Sequence, residues 1–221
     1  MKTLCALALV LATSAAASAQ PPDDRRPISQ SSSDTPAVSL RPFVMGTLQS
    51  FSAVDTFAAV FGQSRQPFFG GGLDVVFGGR VFVDATASRF RKTGERAFFF
   101  NGEAFRLGLP LTAEITPLEI TGGYRFRNGG RFIPYAGAGI GTYAYRETSP
   151  SSDPGENVDI RHTGTVLLGG VEIRAHRWIG VGVDVQYSHI PGVLGAGGIS
   201  KDAGEDDLGG IAARFKVVVG R

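Results

Sequence analysis

From Ser39 to the end of the chain, apolar and polar residues alternate with period two in segments of about ten to fifteen residues, parted by turn signals. The clearest is Trp178–Tyr187. There Ile179, Val181, Val183, Val185 and Tyr187 point one way, and Gly180, Gly182, Asp184 and Gln186 the other. The last segment repeats the design, with Ile211, Ala213, Phe215, Val217 and Val219 set against Gly210, Ala212, Arg214 and Lys216. Working back from these, the pattern predicts strands over Arg161–Ile173, Phe132–Tyr145, Leu111–Phe126, Val81–Arg91, Phe69–Phe77 and Leu40–Phe51, eight in all. In the two clearest strands one face is uniformly apolar, so it meets a core or lipid; the face carrying charges is wet or internally paired.

The connections alternate in kind. Gly78-Gly79-Arg80, Asn128-Gly129-Gly130 and Ala175-His176-Arg177 are short, whereas residues 52–68, 92–110, 147–160 and 188–207 are long. Short turns at one end, long loops at the other and an even strand count are the organisation of bacterial outer-membrane barrels. About 9–11 tilted residues cross the apolar zone of a membrane, and each predicted strand is long enough. Closure removes the sheet edges that lipid could not satisfy. The predicted fold is therefore all-β: an eight-stranded antiparallel up-and-down transmembrane barrel over residues 39–221, with both termini at the short-turn end. Within Leu111–Phe126, Glu114 and Glu119 are five apart and cannot share a face of a regular strand. A bulge near Thr116-Pro117 would bring them together and put Leu111, Ala113 and Ile115 on the lipid face.

The first residues, MKTLCALALVLATSAAASAQ, read as a secretory signal: Lys2, a short apolar core from Leu4 to Leu11, and Ala17-Ser18-Ala19 as the cleavage site. Residues 1–19 are thus expected to be removed. Residues 20–38, rich in proline, serine and charge, are expected to form a disordered periplasmic tether. Cys5 is the only cysteine and leaves with the signal, so the mature chain has neither a disulfide nor a thiolate metal site. Without Lys2 the 22 basic residues fall to 21, facing 20 acidic ones, and that near balance gives no electrostatic case for nucleic acid. Past residue 19 no apolar run approaches the ~18 residues of a spanning helix. Thirty-one glycines argue further against a helical protein.

Gly123-Tyr124-Arg125-Phe126, a short turn, then PYAGAGIG at Pro134–Gly141 resembles the matching hairpin of small OmpA/OmpX/OmpW-type outer-membrane proteins. The resemblance covers roughly Ser39 onward. It implies a monomeric barrel in the bacterial outer membrane, surrounded by lipids including lipopolysaccharide and inserted by the barrel-assembly machinery. Such barrels finish with a C-terminal Phe or Trp read by that machinery. This chain ends Val219-Gly220-Arg221, with Phe215 its last aromatic residue.

The faces expected to point inward collect Arg41, Asp74, Asp84, Glu114, Glu119, Arg125, Glu172, Asp184, Arg214 and Lys216. They could line an ion or substrate path, or plug a lumen just wide enough for side chains; eight strands and both signs of charge favour the plug. Arg89, Arg91, Lys92, Arg96 and Arg106 form a basic run near the outer rim, open to two readings: contacts to lipopolysaccharide phosphates, or an ordinary charged rim. His162, His176 and His189 lack zinc-site spacing. Ser188-His189, in YSHIPG, is the only local hint of the histidine and serine that a lipid-modifying barrel enzyme needs. The acids of 147–160 and 188–207 lack the ligand spacing of a calcium site. The expectation is a structural or surface-interaction protein without enzymatic activity or cofactor. The alternatives are a passive conduit for small hydrophobic molecules and a soluble lipocalin-type barrel.

Overall fold

A computed structural model describes residues 36–100, 103–127, 130–150 and 157–220. The signal expected over 1–19, and the tether except its last three residues, lie outside the described residues, as do Asn128-Gly129 and residues 151–156.

The chain forms β1 (Val38–Phe51), α1 (Val54–Phe61), β2 (Arg65–Phe77), β3 (Val81–Phe100), β4 (Glu103–Arg125), β5 (Phe132–Thr148), β6 (Val158–His176), β7 (Ile179–His189), α2 (Gly198–Ala203) and β8 (Gly210–Val219). Each strand pairs antiparallel with its sequence neighbour, and β1 pairs with β8 to close the barrel. No backbone edge is left unpaired along the wall, which is the condition for strands to cross lipid. Among the described residues no helix is long and apolar enough to cross a membrane.

The short-turn end is tight: Gly78 and Gly79 both take positive φ (55° and 69°) between β2 and β3, a conformation glycine adopts without a Cβ clash. The other end differs from the expectation of irregular loops. Much of 92–110 is a continuation of β3 and β4 into a projecting hairpin, with Phe98 stacked on Phe105 at 5.6 Å. Its register slips between Glu95 and Ala97, opposite Gly108 at φ 68°. Residues 52–64 carry α1, and 190–209 carry α2; both segments fold over the mouth of the barrel.

The expected bulge at Thr116-Pro117 is absent. β4 keeps one unbroken register with β5 from Thr112 to Arg125. Odd-numbered residues of β4 therefore face inward throughout, so Leu111, Ala113 and Ile115 are buried in the lumen while Glu114 sits on the outer face. Regular alternation survives because the half of the lumen nearer the long loops is itself apolar, and an apolar inward face fits it.

Candidate functional site

The inward faces build two stacked layers, one polar and one apolar. Toward the short turns, Glu172 Oε2 accepts hydrogen bonds from Arg41 Nη2 at 2.6 Å and Arg125 Nη1 at 2.9 Å. Asp74 Oδ2 lies 3.8 and 3.6 Å from the same two guanidinium groups. One layer further in, Arg214 Nε donates to Asp184 Oδ1 at 2.5 Å and its Nη1 donates to Gln186. Lys216 Nζ sits 3.3 Å from Asp184 and 3.6 Å from Asp84. The Tyr135 hydroxyl donates a hydrogen bond to Asp184 Oδ2 at 2.5 Å. Above these, Glu119 accepts from Tyr143 at 2.7 Å and from Gln186 at 3.0 Å, with Arg214 at 3.9 Å. All of these charged groups are buried.

Their lengths are matched to glycines on the neighbouring wall. A Cβ on Gly180 would come within 3.0 Å of Glu172 Oε1, and one on Gly182 within 3.5 Å of the Tyr135 hydroxyl. Small residues on β7 thus make the room that long side chains from β5 and β6 fill. Nine of the ten residues expected inward are here: five acids and four bases, interlocked. The tenth, Glu114, is outside, where Arg89 holds it at 2.8 Å and Arg91 approaches to 3.9 Å.

Above the polar network the lumen turns apolar. Phe51 stacks on Phe57 of α1 with centroids 3.7 Å apart, and Phe68 stacks on Phe90 at 5.2 Å. Ile115, Tyr145, Val166, Ile190, Val193 and Leu208 complete this cluster. Between it and the polar layer a cavity of about 30 Å³ is bounded by Thr47, Ile115, Glu119, Tyr143 and Arg214. A single water needs roughly 10–15 Å³ of such space, so the cavity has room for two or so water molecules.

Charges at both ends of α1 fasten the cap. Glu205, from the connection before β8, accepts the N–H groups of Asp55 and Thr56 at 3.0 and 2.9 Å, where the helix N-terminus favours a negative charge. At the other end Arg106 donates to the carbonyl oxygens of Ala59 (3.0 Å) and Ala58 (3.4 Å). Lys92 donates to those of Phe61 (3.5 Å) and the Gln66 side chain (3.2 Å). Asp207 ties down the 190–209 segment, accepting the N–H groups of Ile190 and Gly209, each at 2.7 Å, and pairing with His189 Nδ1 at 2.8 Å. Partial burial pushes the Asp207 carboxyl up, but these donors outweigh it and hold it below the ordinary carboxylate value.

The basic run is thereby divided. Arg89 and Arg91 face outward; Lys92 and Arg106 are engaged with α1; Arg96 sits at the register slip of β3. Strand alternation also separates Ser188, buried against the lumen, from His189, whose side chain is half exposed outside. Ser188 therefore points away from the His189–Asp207 pair, and these two chain neighbours do not come together as a serine–histidine pair. Among the described residues, no group of three or more metal-ligating side chains converges. Neither the apolar cap nor the fastening role of Glu205 and Asp207 was read from the sequence. The spacing of Ala53, Phe57 and Val60 at i, i+4 and i+7, all buried in the fold, was the available signal for a docked helix.

A family model described as outer membrane protein beta-barrel domain matches residues 3–215. A search of curated proteins gave no match. Among solved structures, the chain is similar to Ail of Yersinia pestis in its complex with the heparin analogue sucrose octasulfate, at 12% identity, TM-score 0.50, and 83% and 97% coverage of the two chains. It is also similar to the N-terminal β-barrel domain of Pseudomonas aeruginosa OprF, at 12% identity, TM-score 0.49 and the same coverage. These likenesses concern the fold.

Proposed function

We propose that this chain, which belongs to the outer membrane protein β-barrel family, is a closed-lumen barrel of the bacterial outer membrane with a structural or surface-interaction role. Membership of the family carries the membrane location. The closed lumen rests on one observation: two unlike barriers stand in series inside the wall. The first is the interlocked charges from Arg41 to Lys216, the second the aromatic cap built on Phe51, Phe57, Phe68 and Phe90. An ion that passed the cap would have to break buried pairs, each worth about 3–5 kcal/mol when one partner is lost. A small hydrophobic solute would have to displace the cap and then cross the charges, and the cavity between them holds only about 30 Å³.

On this reading residues 1–19 serve as a cleaved export signal, the assembly machinery inserts the barrel, and the barrel works as a monomer without enzymatic activity. Liposomes containing the folded protein test the lumen. They should swell in small sugars no faster than protein-free liposomes, and should take up no hydrophobic fluorophore into the barrel interior. Rapid swelling or saturable fluorophore binding inside the barrel would favour the conduit.

A further inference from the structure

The outer wall carries an arrangement that the lumen does not explain. On β3–β6, next to the long loops, two lateral rows of outward residues run across the register. One is Arg91, Glu114, Arg146, Asp159; the other is Arg89, Thr116, Ala144, Arg161. Four guanidinium groups and two carboxylates leave a net charge of two positive. The carboxylates are engaged, Glu114 by Arg89 at 2.8 Å and Asp159 by Arg146 at 2.7 Å. Arg161 is exposed at the far end of its row. Arg89 and Arg161 stand three strands apart, about 14 Å at the backbone, with only Thr116 and Ala144 between them.

Immediately below, the wall is hollowed. The next two rows pass through Gly71, Ala87, Leu118 and Thr142, and through Leu73, Ala85, Ile120 and Ile140. Small residues on β2 and β3 beside large ones on β4 and β5 leave an open apolar groove of about 470 Å³. It lies on the lipid face directly under the arginines. In an outer membrane the long-loop end faces the outer leaflet, so the groove meets acyl chains there and the arginine rows meet headgroups.

We propose that these rows and this groove form one external site for a phosphorylated glycolipid of the outer leaflet. Phosphates would seat at Arg89 and Arg161 and one acyl chain would lie in the groove. Arginine binds phosphate by paired, charge-assisted hydrogen bonds, and the spacing of the two arginines suits a headgroup with two separated phosphates. The site rests on the membrane placement above. It replaces the mixed basic run, since Lys92 and Arg106 are held by α1.

The test uses the full chain folded into phosphatidylethanolamine–phosphatidylglycerol vesicles doped with diphosphoryl lipid A, or with its dephosphorylated form. The lipid kept after detergent extraction is measured by mass spectrometry. Diphosphoryl lipid A should be retained at least about tenfold over both the dephosphorylated form and phosphatidylglycerol. Arg89→Gln with Arg161→Gln should cut that retention about tenfold, and Ala87→Phe should do the same by filling the groove. Thr142→Phe fills it from the other side should Ala87→Phe fail to fold, and Arg174→Gln, at the opposite end, should change nothing. Equal retention by the arginine double variant, or equal retention of phosphatidylglycerol, overturns the site. A barrel that conducts yet still selects lipid A would refute the closed lumen and leave this site standing.

Discussion

Arg214→Ala probes the polar closure where it is most connected. The substitution removes the Nε bond to Asp184 (2.5 Å), the bond to Gln186 and the approach to Glu119 at 3.9 Å. Two buried carboxylates then lose their nearest cation. Breaking a buried pair by deleting one partner costs about 3–5 kcal/mol. Asp184 keeps Lys216 at 3.3 Å and the Tyr135 hydroxyl, and Glu119 keeps Tyr143 and Gln186, so the lower end, about 3 kcal/mol, is expected. Arg214→Met should cost nearly as much, because it restores volume without charge. Adding Asp184→Leu to Arg214→Met should cost less than the sum of the two single changes, because the pair they form is lost only once, but it should not restore full stability, since it takes the acceptor from Tyr135 and leaves Lys216 with Asp84 alone. Urea titration of the barrel refolded into liposomes, followed by Trp178 fluorescence and by heat-modifiable gel migration, measures these differences. A cost for Arg214→Ala below about 1 kcal/mol, with the double change merely additive, would mean that the network is solvated and does not close the lumen.

Three further outcomes follow from other parts of the wall. Val183→Arg places a charge on the lipid face and should cost about 2–4 kcal/mol near the bilayer midplane; in the same urea titration, a cost near zero would mean that the outer face is not lipid-exposed there. Asp207 titrates below its ordinary value, so its clasp contributes fully above about pH 4 and is lost as pH falls through the lowered value. Amide exchange at Ile190 and Gly209, corrected for intrinsic rates, should therefore rise only in acid, whereas Asp207→Asn should raise it already at neutral pH; wild-type exchange in that variant would remove Asp207 from the cap. A cysteine at Asp202 on α2 should react with an impermeant reagent in whole cells and one at Arg177 only after disruption; the reverse pattern would invert the barrel.

How far the sequence could be read depended on what each face meets. In β7 and β8 one face is apolar and the other carries Asp184, Gln186, Arg214 and Lys216, so alternation and charge agree, and the observed orientation is the predicted one. In β4 they conflict. Its apolar residues change face part-way along, from Leu111, Ala113 and Ile115 to Leu118 and Ile120, and period-two patterning cannot tell a shift of the strand from a lumen that is itself apolar near the long loops. The expectation that charge always points inward put a bulge at Pro117 and Glu114 in the lumen; in the structure Glu114 instead serves the outer arginines. The long connections hid the cap for a related reason. Their helices are short, and α1 is fixed by partners distant in sequence, Glu205 and Arg106, which no local pattern reveals. The hairpin extension did carry a local signal, Asn101-Gly102 between Phe98–Phe100 and Ala104–Leu107, a dipeptide suited to a tight turn.

The proposed closed lumen passes neither ions nor small solutes. Planar-bilayer recording of the purified, folded protein tests it most directly. The two closures in series predict no steady open level in the unmodified protein, and none in Arg214→Ala, because the aromatic cap over Phe51 and Phe57 remains. A stable, reproducible conductance step in the unmodified protein would contradict it.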